Sequence, residues 1–437
     1  MTKYNPMRQL PAAAGYKPGD LLVLCGELFG RGYANGIVEE AKRRGMDVIG
    51  TTVGRRDPEG SLRPLLQEEL AEAEANLGGR IINIPLEAGF DMEPDDRGLS
   101  PVDRFKGIKT DEWDDVSLDW DGIEKSRKKG IARFKKNMAD FALELEKMIP
   151  QGANVLFVHC MAGGVPRARL FMPLFNRVFK GQGDRWLSSE RFWNSDPGRL
   201  CKQSFDEVTA DTFTYLLEGT ESCRKRIESA GGRVAYAAYG YHGCEVLIGG
   251  KYTWQSYTPY MPGWAKIRLE DSASAARRRG ISASVFNSPE IQTNSSALFL
   301  GVEISLYPLL AAMDREGGET LSGRMRRECH SLLREGASLE ALLDGAEQFL
   351  SSSIMSSFRN FTTWPHHNTP EQAELMLNSS AFLMEMNRNP KEIVCAVLSR
   401  AVFTAVGRIM LDAMWDSSAQ AYWLNHDIIV KRLATLP

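Results

Sequence analysis

Two tyrosines and a lysine lie close together in the segment 254–266, WQSYTPYMPGWAK. A phenol hydroxyl beside an ammonium group is a hydrogen-bond donor suited to stabilising a developing negative charge, provided that both groups face one pocket. Tyr260 precedes Lys266 by six residues and Tyr257 precedes it by nine. On an unbroken helix these separations turn the side chains roughly 240° and 180° apart, so neither tyrosine would share a helix face with the lysine.

The prolines of this segment argue against an unbroken helix, so the tyrosines and the lysine need not lie on one helix face. Pro259, Pro262 and Gly263 disfavour a helix through 257–263, because an interior proline loses a hydrogen bond and clashes with the preceding turn. Proline is accepted in a first helical turn. The pattern therefore predicts a helix that starts near Pro262 or Gly263 and carries Lys266, with both tyrosines on the loop before it. A loop tyrosine can reach the lysine across such a spacing.

A glycine-rich turn, GELFGRG, stands between an apolar run and an amphipathic helix pattern near the start of the chain. Gly26, Gly30 and Gly32 allow a tight turn and a close approach of backbone to a pyrophosphate, so they predict a dinucleotide site; a tight turn alone is the alternative. After the second apolar run, TTVGRRD places Arg55 and Arg56 where NAD-binding proteins commonly carry an acid. Two cations suit a 2′-phosphate, which favours NADP(H) over NAD(H) unless they are a solvated surface pair.

Strand and helix patterns alternate from about residue 20 to 315 and predict an α/β fold with a doubly wound, mostly parallel, Rossmann-like sheet. The predicted strands are 21–26, 46–53, 80–86, 153–164, 233–240 and 281–287, and the predicted helices are 34–45, 131–149, 205–232, one ending at Arg279 and an apolar one near 295–313. Long loop insertions interrupt the pattern near 87–128 and 180–200. We expect a catalytic core at 1–315 and a mostly helical C-terminal region at 316–437 packed on it.

The composition narrows the classes of protein and partner. With 437 residues, 43% hydrophobic, 25% charged and a net charge of −3, the chain has an ordinary soluble composition without the basic surplus of a nucleic-acid binder. No signal peptide is visible, and Glu303 and Pro308 interrupt the longest apolar stretch, so no integral membrane segment is expected. Seven scattered cysteines indicate reduced thiols in the cytoplasm. Adjacent His366 and His367 lack zinc-ligand spacing, so no metal is expected.

Several motifs resemble one enzyme family. The glycine turn resembles short-chain dehydrogenases/reductases, but Tyr257-(x)8-Lys266 replaces their Tyr-x-x-x-Lys pair. That long spacing resembles the FabV-type enoyl-acyl-carrier-protein reductases and trans-2-enoyl-CoA reductases, an enlarged branch of the superfamily. QTNSSALFLGVEISLYPLL (292–310) and YGYHG are similar to this branch's segment after the sixth strand and to its upstream active-site tyrosine. Within the branch, the chain is most similar to the divergent FabMG-type enoyl reductases.

This resemblance implies reduction of an α,β-unsaturated acyl thioester, carried by acyl carrier protein or CoA, in cytoplasmic fatty acid synthesis by a monomer or small homo-oligomer. It implies that Tyr257 donates to the enolate oxygen, that Lys266 binds the nicotinamide ribose hydroxyls and that Tyr241 is a second donor. Tyr260 is then a neighbour, although both loop tyrosines would also suit aromatic packing. The stretch PLEAGF resembles the family's segment with the adenine-contacting acid, which implies that role for Glu87.

Further candidates follow the fourth and sixth predicted strands. His159 and Cys160 are adjacent strand residues, whose side chains point to opposite faces, so we expect one to line the site and the other to pack. Ser296 is predicted to contact cofactor or acyl chain, or to cap a helix. The remaining predicted cofactor contacts are Met161, Ala162, Gly163 and Thr293.

Two other functions remain open from the sequence. The same fold and cofactor would serve a short-chain ketone or alcohol oxidoreductase, which a product assay separates from an enoyl reductase. A non-catalytic NADP(H)-binding sensor is the second alternative. Its function would survive the substitutions Tyr257→Phe and Lys266→Ala.

Overall fold

The computed structural model describes residues 3–255, 261–293 and 298–436. Its centre is a seven-stranded sheet in which every neighbouring pair of strands is parallel. The strands in chain order are β1 (Leu21–Cys25), β2 (Asp47–Thr52), β3 (Arg55–Arg56), β4 (Leu62–Arg63), β5 (Arg80–Pro85), β6 (Val155–His159), β7 (Val234–Gly240), β8 (Cys244–Ile248), β9 (Lys251–Gln255), β10 (Ala283–Asn287) and β11 (Ala421–Trp423). The sheet has the order β5-β2-β1-β6-β7-β10-β11, and the pairs β3–β4 and β8–β9 form antiparallel ribbons outside it. The predicted doubly wound α/β fold is confirmed.

The strand order reverses between β1 and β6. From β1 the chain moves outward through β2 and β5, then returns to β6 on the other side of β1 and moves outward again. A crevice opens at the carboxyl ends of the strands at such a reversal, and ligands bind there in open α/β sheets. Cys25 and His159 end the two central strands in register. The residues directly after them, Gly26 and Cys160, therefore flank the crevice.

Helices cover both faces of the sheet. In chain order they are α1 (Tyr33–Arg43), α2 (Gln67–Leu77), α3 (Trp120–Glu146), α4 (Phe171–Lys180), α5 (Ser189–Asn194), α6 (Asp196–Phe205), α7 (Thr212–Gly219), α8 (Glu221–Ser229), α9 (Gly263–Arg278), α10 (Pro308–Glu316), α11 (Gly318–His330), α12 (Leu339–Ser351), α13 (Ser353–Ser356), α14 (Pro370–Glu385), α15 (Val394–Ala413) and α16 (His426–Ala434). Leu22 and Leu24 pack in the apolar core that contains α1, α10 and α15, whereas Leu21 and Val23 pack in the core that contains α3 and α9. Successive strand residues point to opposite faces, so a sheet covered on both faces needs continuous apolar runs.

Helices α1 and α15 touch backbone to backbone. A Cβ atom at Gly36 would overlap the carbonyl oxygen of Phe403, and one at Gly407 would overlap the backbone of Gly36. By length and composition α15 could cross a membrane, but 61% of its apolar window is buried inside the protein, where it serves as a core helix. Its contact with α1 fixes the helix that follows the glycine turn.

The two insertions pack together beside the carboxyl ends of the strands. Residues 87–119 contain the short 3-10 helices Val102–Phe105 and Thr110–Asp115, and the segment 180–200 contains α5 and the start of α6. Their aromatic side chains form a third apolar core, which also includes Ala265 from the first turn of α9. The insertions thus hold the beginning of α9 in place.

Several parts of the chain differ from the sequence-based expectation. Helix α3 begins at Trp120, inside the loop predicted at 87–128, and the ribbon β8–β9 was not predicted. The apolar helix predicted near 295–313 is wrong, because Ile304–Leu306 form a 3-10 turn and α10 begins at Pro308. Proline lacks the N–H of a helix interior and fits the first turn. The single helix predicted at 205–232 is divided into the π-helical turn Asp206–Asp211, α7 and α8. The edge strand β11 was not predicted, and it pairs with β10.

Candidate active site

The glycine turn between β1 and α1 is shaped for close backbone contact. Gly26 has a φ of +130°, and a Cβ atom there would lie 2.6 Å from the Sγ of Cys160. Around Gly30 and Gly32 a Cβ atom would meet open space. No side chain among the described residues caps the start of α1, and its first turn contains no acidic residue. The helix end therefore keeps the positive partial charge and N–H groups that suit a phosphate.

Two cavities lie on either side of this turn and share the wall formed by residues 26–29. The cavity beside β2 has a volume of about 320 Å³ and is also lined by Gly30 and Arg55. The cavity beside β6 and β7 has a volume of about 580 Å³ and reaches Lys266 at the start of α9. A long ligand that crosses the strand reversal would occupy both, as dinucleotides do in this class of fold.

Glu27 belongs to the turn after β1, but its carboxylate lies at the end of β2. Its Oε1 atom accepts hydrogen bonds from the Thr52 hydroxyl at 2.6 Å and the Val53 N–H at 3.1 Å, and it pairs with the Arg55 guanidinium at 2.9 Å. An acid at the end of the second strand is the group that binds ribose hydroxyls in NAD-binding folds. Sequence reasoning missed Glu27, because it looked for this acid after β2. The available signal was an acid directly after the first glycine of the turn.

The second predicted cation, Arg56, takes part in a separate network of charges. Its guanidinium donates to Glu87 and lies 3.4 Å from the carboxylate of Glu93. Glu87 also accepts from Arg167, which in turn pairs with Asp91 at 3.0 Å. Glu87 lines the larger cavity, whereas Arg56 lines neither of the two cavities. Both predicted arginines are thus already paired with carboxylates.

Lys266 lies where the sequence predicts it, in the first turn of a helix that begins at Gly263 after Pro262. The side chain is buried, with the residue 7% exposed, and Nζ donates a hydrogen bond to the carbonyl oxygen of Tyr239 at 2.9 Å. Burial lowers the pKa of the Lys266 ammonium to about 8. The ring of Tyr239 stacks on Tyr33, with ring centroids 5.5 Å apart, and so links the end of β7 to the start of α1.

Tyr241 and Glu290 meet at the wall of the larger cavity. The Tyr241 hydroxyl donates a hydrogen bond to Glu290 Oε1, and its ring packs edge-on against Trp364 with ring centroids 5.4 Å apart. Glu290 is 5% exposed, and desolvation raises the pKa of its carboxyl to about 7, against the lowering effect of its hydrogen bonds. Sequence reasoning predicted Tyr241 and missed Glu290, which lies in the turn NSPEIQ with no periodic pattern to mark it.

His159, which ends β6, and Cys160, which follows it, have side chains in different environments, as predicted. Cys160 lines the larger cavity, and burial raises the pKa of its thiol to about 12, so it is not a nucleophile near neutral pH. His159 points away and forms a 2.8 Å hydrogen bond between Nε2 and the Thr212 hydroxyl. Burial lowers the pKa of His159 to about 3, which keeps the imidazole neutral.

The other predicted contacts are distributed as follows. The cavity-lining residues are Met161, Ala162, Gly163 and Thr293. Gly163 is held by the π-helical turn, because the Thr209 hydroxyl donates to its carbonyl oxygen at 3.3 Å. Tyr257, Tyr260 and Ser296 lie outside the described residues. Within the described ranges, no group of three His, Cys, Asp or Glu side chains is placed to hold a metal ion.

These features define a dinucleotide-binding enzyme of the α/β class. Residues 3–433 match the family described as enoyl-acyl carrier protein reductase FabMG, and the chain belongs to this family. Its membership makes it an NAD(P)H-dependent enoyl reductase and confirms the predicted resemblance to the FabMG type.

Two solved structures support this assignment over the full length of the chain. The apo structure of FabMG, a novel type of enoyl-acyl carrier protein reductase, is 47% identical, with a TM-score of 0.95 and coverage of 99% of this chain and 98% of that one. The NADH-bound structure of FabMG is 38% identical, with a TM-score of 0.80 and coverage of 99% of both chains. Among curated proteins, none matches the chain.

The residues present fit a nicotinamide dinucleotide. The open space at Gly30 and Gly32 leaves room for a pyrophosphate against the uncapped start of α1. Glu27 is placed for ribose hydroxyls at the end of β2, and Lys266 is the buried ammonium on the other side of the turn. Both ends of an extended dinucleotide would therefore meet suitable polar groups.

Proposed function

We propose that the chain reduces enoyl groups carried on acyl carrier protein, with NADH as the hydride donor, in cytoplasmic fatty acid synthesis. The observation that carries the proposal is the larger cavity, which brings Lys266 and the Tyr241–Glu290 pair to the edge of the glycine turn in a member of the FabMG family. A CoA thioester presents the same reacting atoms, so activity on enoyl-CoA is expected as well.

The choice of NADH rests on the charges at the end of β2. The sequence favours NADP(H) because of Arg55 and Arg56, but both guanidinium groups are engaged by carboxylates. The Glu27 carboxylate would accept a hydrogen bond from a ribose hydroxyl and would repel a 2′-phosphate. A related FabMG has been solved with NADH bound, which supports the same preference here.

Hydride from the reduced nicotinamide, when bound, reaches the β-carbon of the enoyl thioester and leaves negative charge on the thioester oxygen. We assign Tyr257 as the donor that stabilises this oxygen, because a positioned hydroxyl is worth most where charge develops in a water-poor site. The assignment follows the FabV-like spacing Tyr257-(x)8-Lys266. Tyr241, which lines the larger cavity, is the second candidate donor.

Lys266 holds the ribose hydroxyls in this proposal. Its ammonium group has three protons, and the bond to the Tyr239 carbonyl uses one, which leaves two for hydroxyl oxygens. A positive charge in the site also favours the phenolate form of a nearby tyrosine, which makes its hydroxyl a stronger donor. Lys266 thus binds the cofactor and strengthens the donor.

The test is NADH oxidation with crotonyl-acyl carrier protein, comparing wild type with Tyr257→Phe. Loss of one donor to the developing oxyanion is expected to lower kcat by about 100-fold. Tyr260→Phe is the matched control, with the same chemical change three residues away, and its kcat should stay close to wild type. Equal effects of both substitutions would remove Tyr257 from the proposed role.

The same assay separates the alternatives. A ketone or alcohol oxidoreductase would consume acetoacetyl thioester and leave crotonyl thioester untouched. A sensor would bind NADH without oxidising it in the presence of either substrate. Failure of the wild-type enzyme to reduce any enoyl thioester would end the proposal.

A further inference from the structure

Reduction of an enoyl thioester needs a proton as well as a hydride. The hydride goes to the β-carbon, and when the enolate collapses the α-carbon must gain a proton. In the proposed mechanism Tyr257 is assigned to the thioester oxygen, which leaves the source of the second proton open. Such a source has to face the cavity, give up a proton near neutral pH and recover one after each turnover.

Tyr241 and Glu290 come together because β7 and β10 are neighbours. Gly240 and Asn287 end these two strands in register, so the turns that follow leave the sheet side by side. Tyr241 follows directly after β7, and Glu290 lies three residues after β10. Both residues line the larger cavity, and the Tyr241 hydroxyl donates to Glu290 Oε1. The pair is therefore a hydrogen-bonded chain that borders the cavity.

The surroundings of Glu290 let both of its protonation states form. Among the described residues, the ionisable groups in contact with Glu290 are Tyr241, from the turn after β7, and Cys244 of β8, whose thiol lies 3.8 Å from Oε2. Lys266 of α9 lines the same cavity. No ion pair with Glu290 is found in the described part of the chain, and its pKa of about 7 places the acid and the carboxylate in balance near neutral pH.

Glu270 is a second buried carboxylate, and it shows that burial alone does not place a carboxylate at the cavity wall. Glu270 is completely buried, and its Oε1 accepts from both His242 and Asn287 at 2.9 Å. It faces neither of the two cavities. Glu270 is thus held among fixed partners in the interior, whereas Glu290 is paired with a hydroxyl at the cavity wall.

We propose that Glu290 supplies, through Tyr241, the proton that the α-carbon acquires. The inference rests on the proposed reductase function and adds a proton donor to it. In the acid form, Glu290 donates to the Tyr241 oxygen, so the phenol proton is no longer directed at Glu290 and can be passed to the substrate. In the carboxylate form, the Tyr241 hydroxyl donates its hydrogen bond to Glu290 Oε1 and its proton is directed away from the substrate. Deprotonation of Glu290 therefore switches the pair off.

The step balances in protons and electrons. The Tyr241 O–H bond breaks as its proton bonds to the α-carbon, and the enolate electrons form that C–H bond while the thioester carbonyl is restored. The Glu290 O–H bond breaks as its proton passes to the phenolate oxygen of Tyr241. Glu290 is left as a carboxylate and takes its next proton from water. Both electrons of the reduction arrive with the hydride.

The first test is the pH dependence of kcat for crotonyl-acyl carrier protein in wild type and Glu290→Gln. The wild-type kcat is expected to fall above about pH 7, because only the acid form of Glu290 donates. In Glu290→Gln, kcat below pH 7 should drop by about 100-fold, and the remaining decline should move toward pH 8, where Lys266 loses its proton. A merely structural role for Glu290 would not move the position of this decline.

Glu303→Gln is the matched control. Glu303 is also buried, burial also raises its pKa, and it accepts from Ser380 outside both cavities. In Glu303→Gln, kcat should decline at the same pH as in the wild type. If Glu290→Gln keeps the wild-type profile while enoyl reduction proceeds, this inference fails and the reductase function stands.

A second measurement does not depend on turnover. Difference infrared titration of the protein without cofactor should show the carbonyl band of a protonated carboxylic acid that disappears near pH 7 and is missing in Glu290→Gln. Tyr241→Phe should move this midpoint to higher pH, because the Tyr241 hydrogen bond lowers the pKa of Glu290. A wild-type spectrum in which Glu290 is already ionised at pH 6 would overturn the inference even if the variants fail to fold.

Discussion

The Oε1 atom of Glu27 lies 2.9 Å from the guanidinium of Arg55, and the two residues come from different turns of the fold. Glu27 belongs to the glycine turn after β1, and Arg55 follows β2. Parallel strands place their carboxyl ends at one edge, so an acid after one strand meets a base after the next. This single pair sets the charge at the position where dinucleotide-binding folds distinguish a ribose hydroxyl from a 2′-phosphate.

Replacing Glu27 by glutamine should shift cofactor preference toward NADPH. The amide keeps an oxygen for Thr52 and Val53, which preserves the local hydrogen bonds, but it no longer neutralises Arg55. The freed guanidinium can then bind a 2′-phosphate. We expect the ratio of the NADPH and NADH dissociation constants to fall at least about tenfold, in line with a charge-assisted hydrogen bond of ~1.5–3 kcal/mol. Quenching of protein fluorescence on cofactor binding measures both constants.

Two controls show whether the shift comes from this pair. Glu68→Gln makes the same chemical change at an exposed position in the first turn of α2 and should leave the ratio unchanged. Adding Arg55→Gln to the Glu27→Gln variant should cancel the gain for NADPH. If the double variant keeps the increased preference for NADPH, another cation binds the 2′-phosphate.

The fold was predictable where local sequence and tertiary contacts agree. Leu21–Cys25 and Val234–Gly240 are completely buried strands, and burial on both faces demands the continuous apolar runs that identify them. The strand Ala421–Trp423 has three residues and is held by its pairing with β10 and by backbone hydrogen bonds to Asn5 and Met7. Pro308 lies inside an apolar run that resembles one helix, and its missing N–H moves the helix start past most of that run.

The candidate site was predictable where a residue had a local mark. Prolines mark the start of the helix that carries Lys266, and glycines mark the turn after β1. Glu27 is marked only by its place after the first glycine, and Glu290 has no local sequence signal, because each acts on a partner from a distant turn. Glu27 reaches Thr52 at the end of β2, and Glu290 accepts from Tyr241 after β7. Only the order of strands in the sheet reveals these pairs.

Gly36→Ala should separate helices α1 and α15. The added Cβ would overlap the Phe403 carbonyl, and backbone on both sides leaves no flexible side chain to move away. We expect a loss of about 3 kcal/mol in the free energy of unfolding, typical of forced overpacking. Affinity for NADH should fall as well, because α1 presents its N-terminus beside the glycine turn. Urea unfolding and cofactor titration measure the two effects.

Gly323→Ala provides the matched control for this substitution. Gly323 also lies inside a helix, α11, but its added Cβ would meet only the flexible end of Arg327 at 3.3 Å. Alanine is the better helix former by about 1 kcal/mol, so stability should stay equal or rise. If both variants behave alike, α1 and α15 are not in backbone contact.

Lys266→Met should change how stability depends on pH. The folded ammonium has a pKa of about 8, below its value of about 10.4 in an unfolded chain, so between these pH values the unfolded protein binds one proton more. Stability of the wild type therefore rises with pH across this window relative to the methionine variant, by up to about 3 kcal/mol. Urea unfolding of both proteins at pH 8 and pH 10 measures the difference.

Lys128→Met, at an exposed position of α3, controls for the loss of an ammonium group as such. Parallel curves for wild type and Lys266→Met would mean that the ammonium is solvated, and a solvated group would not be preorganised beside the cofactor.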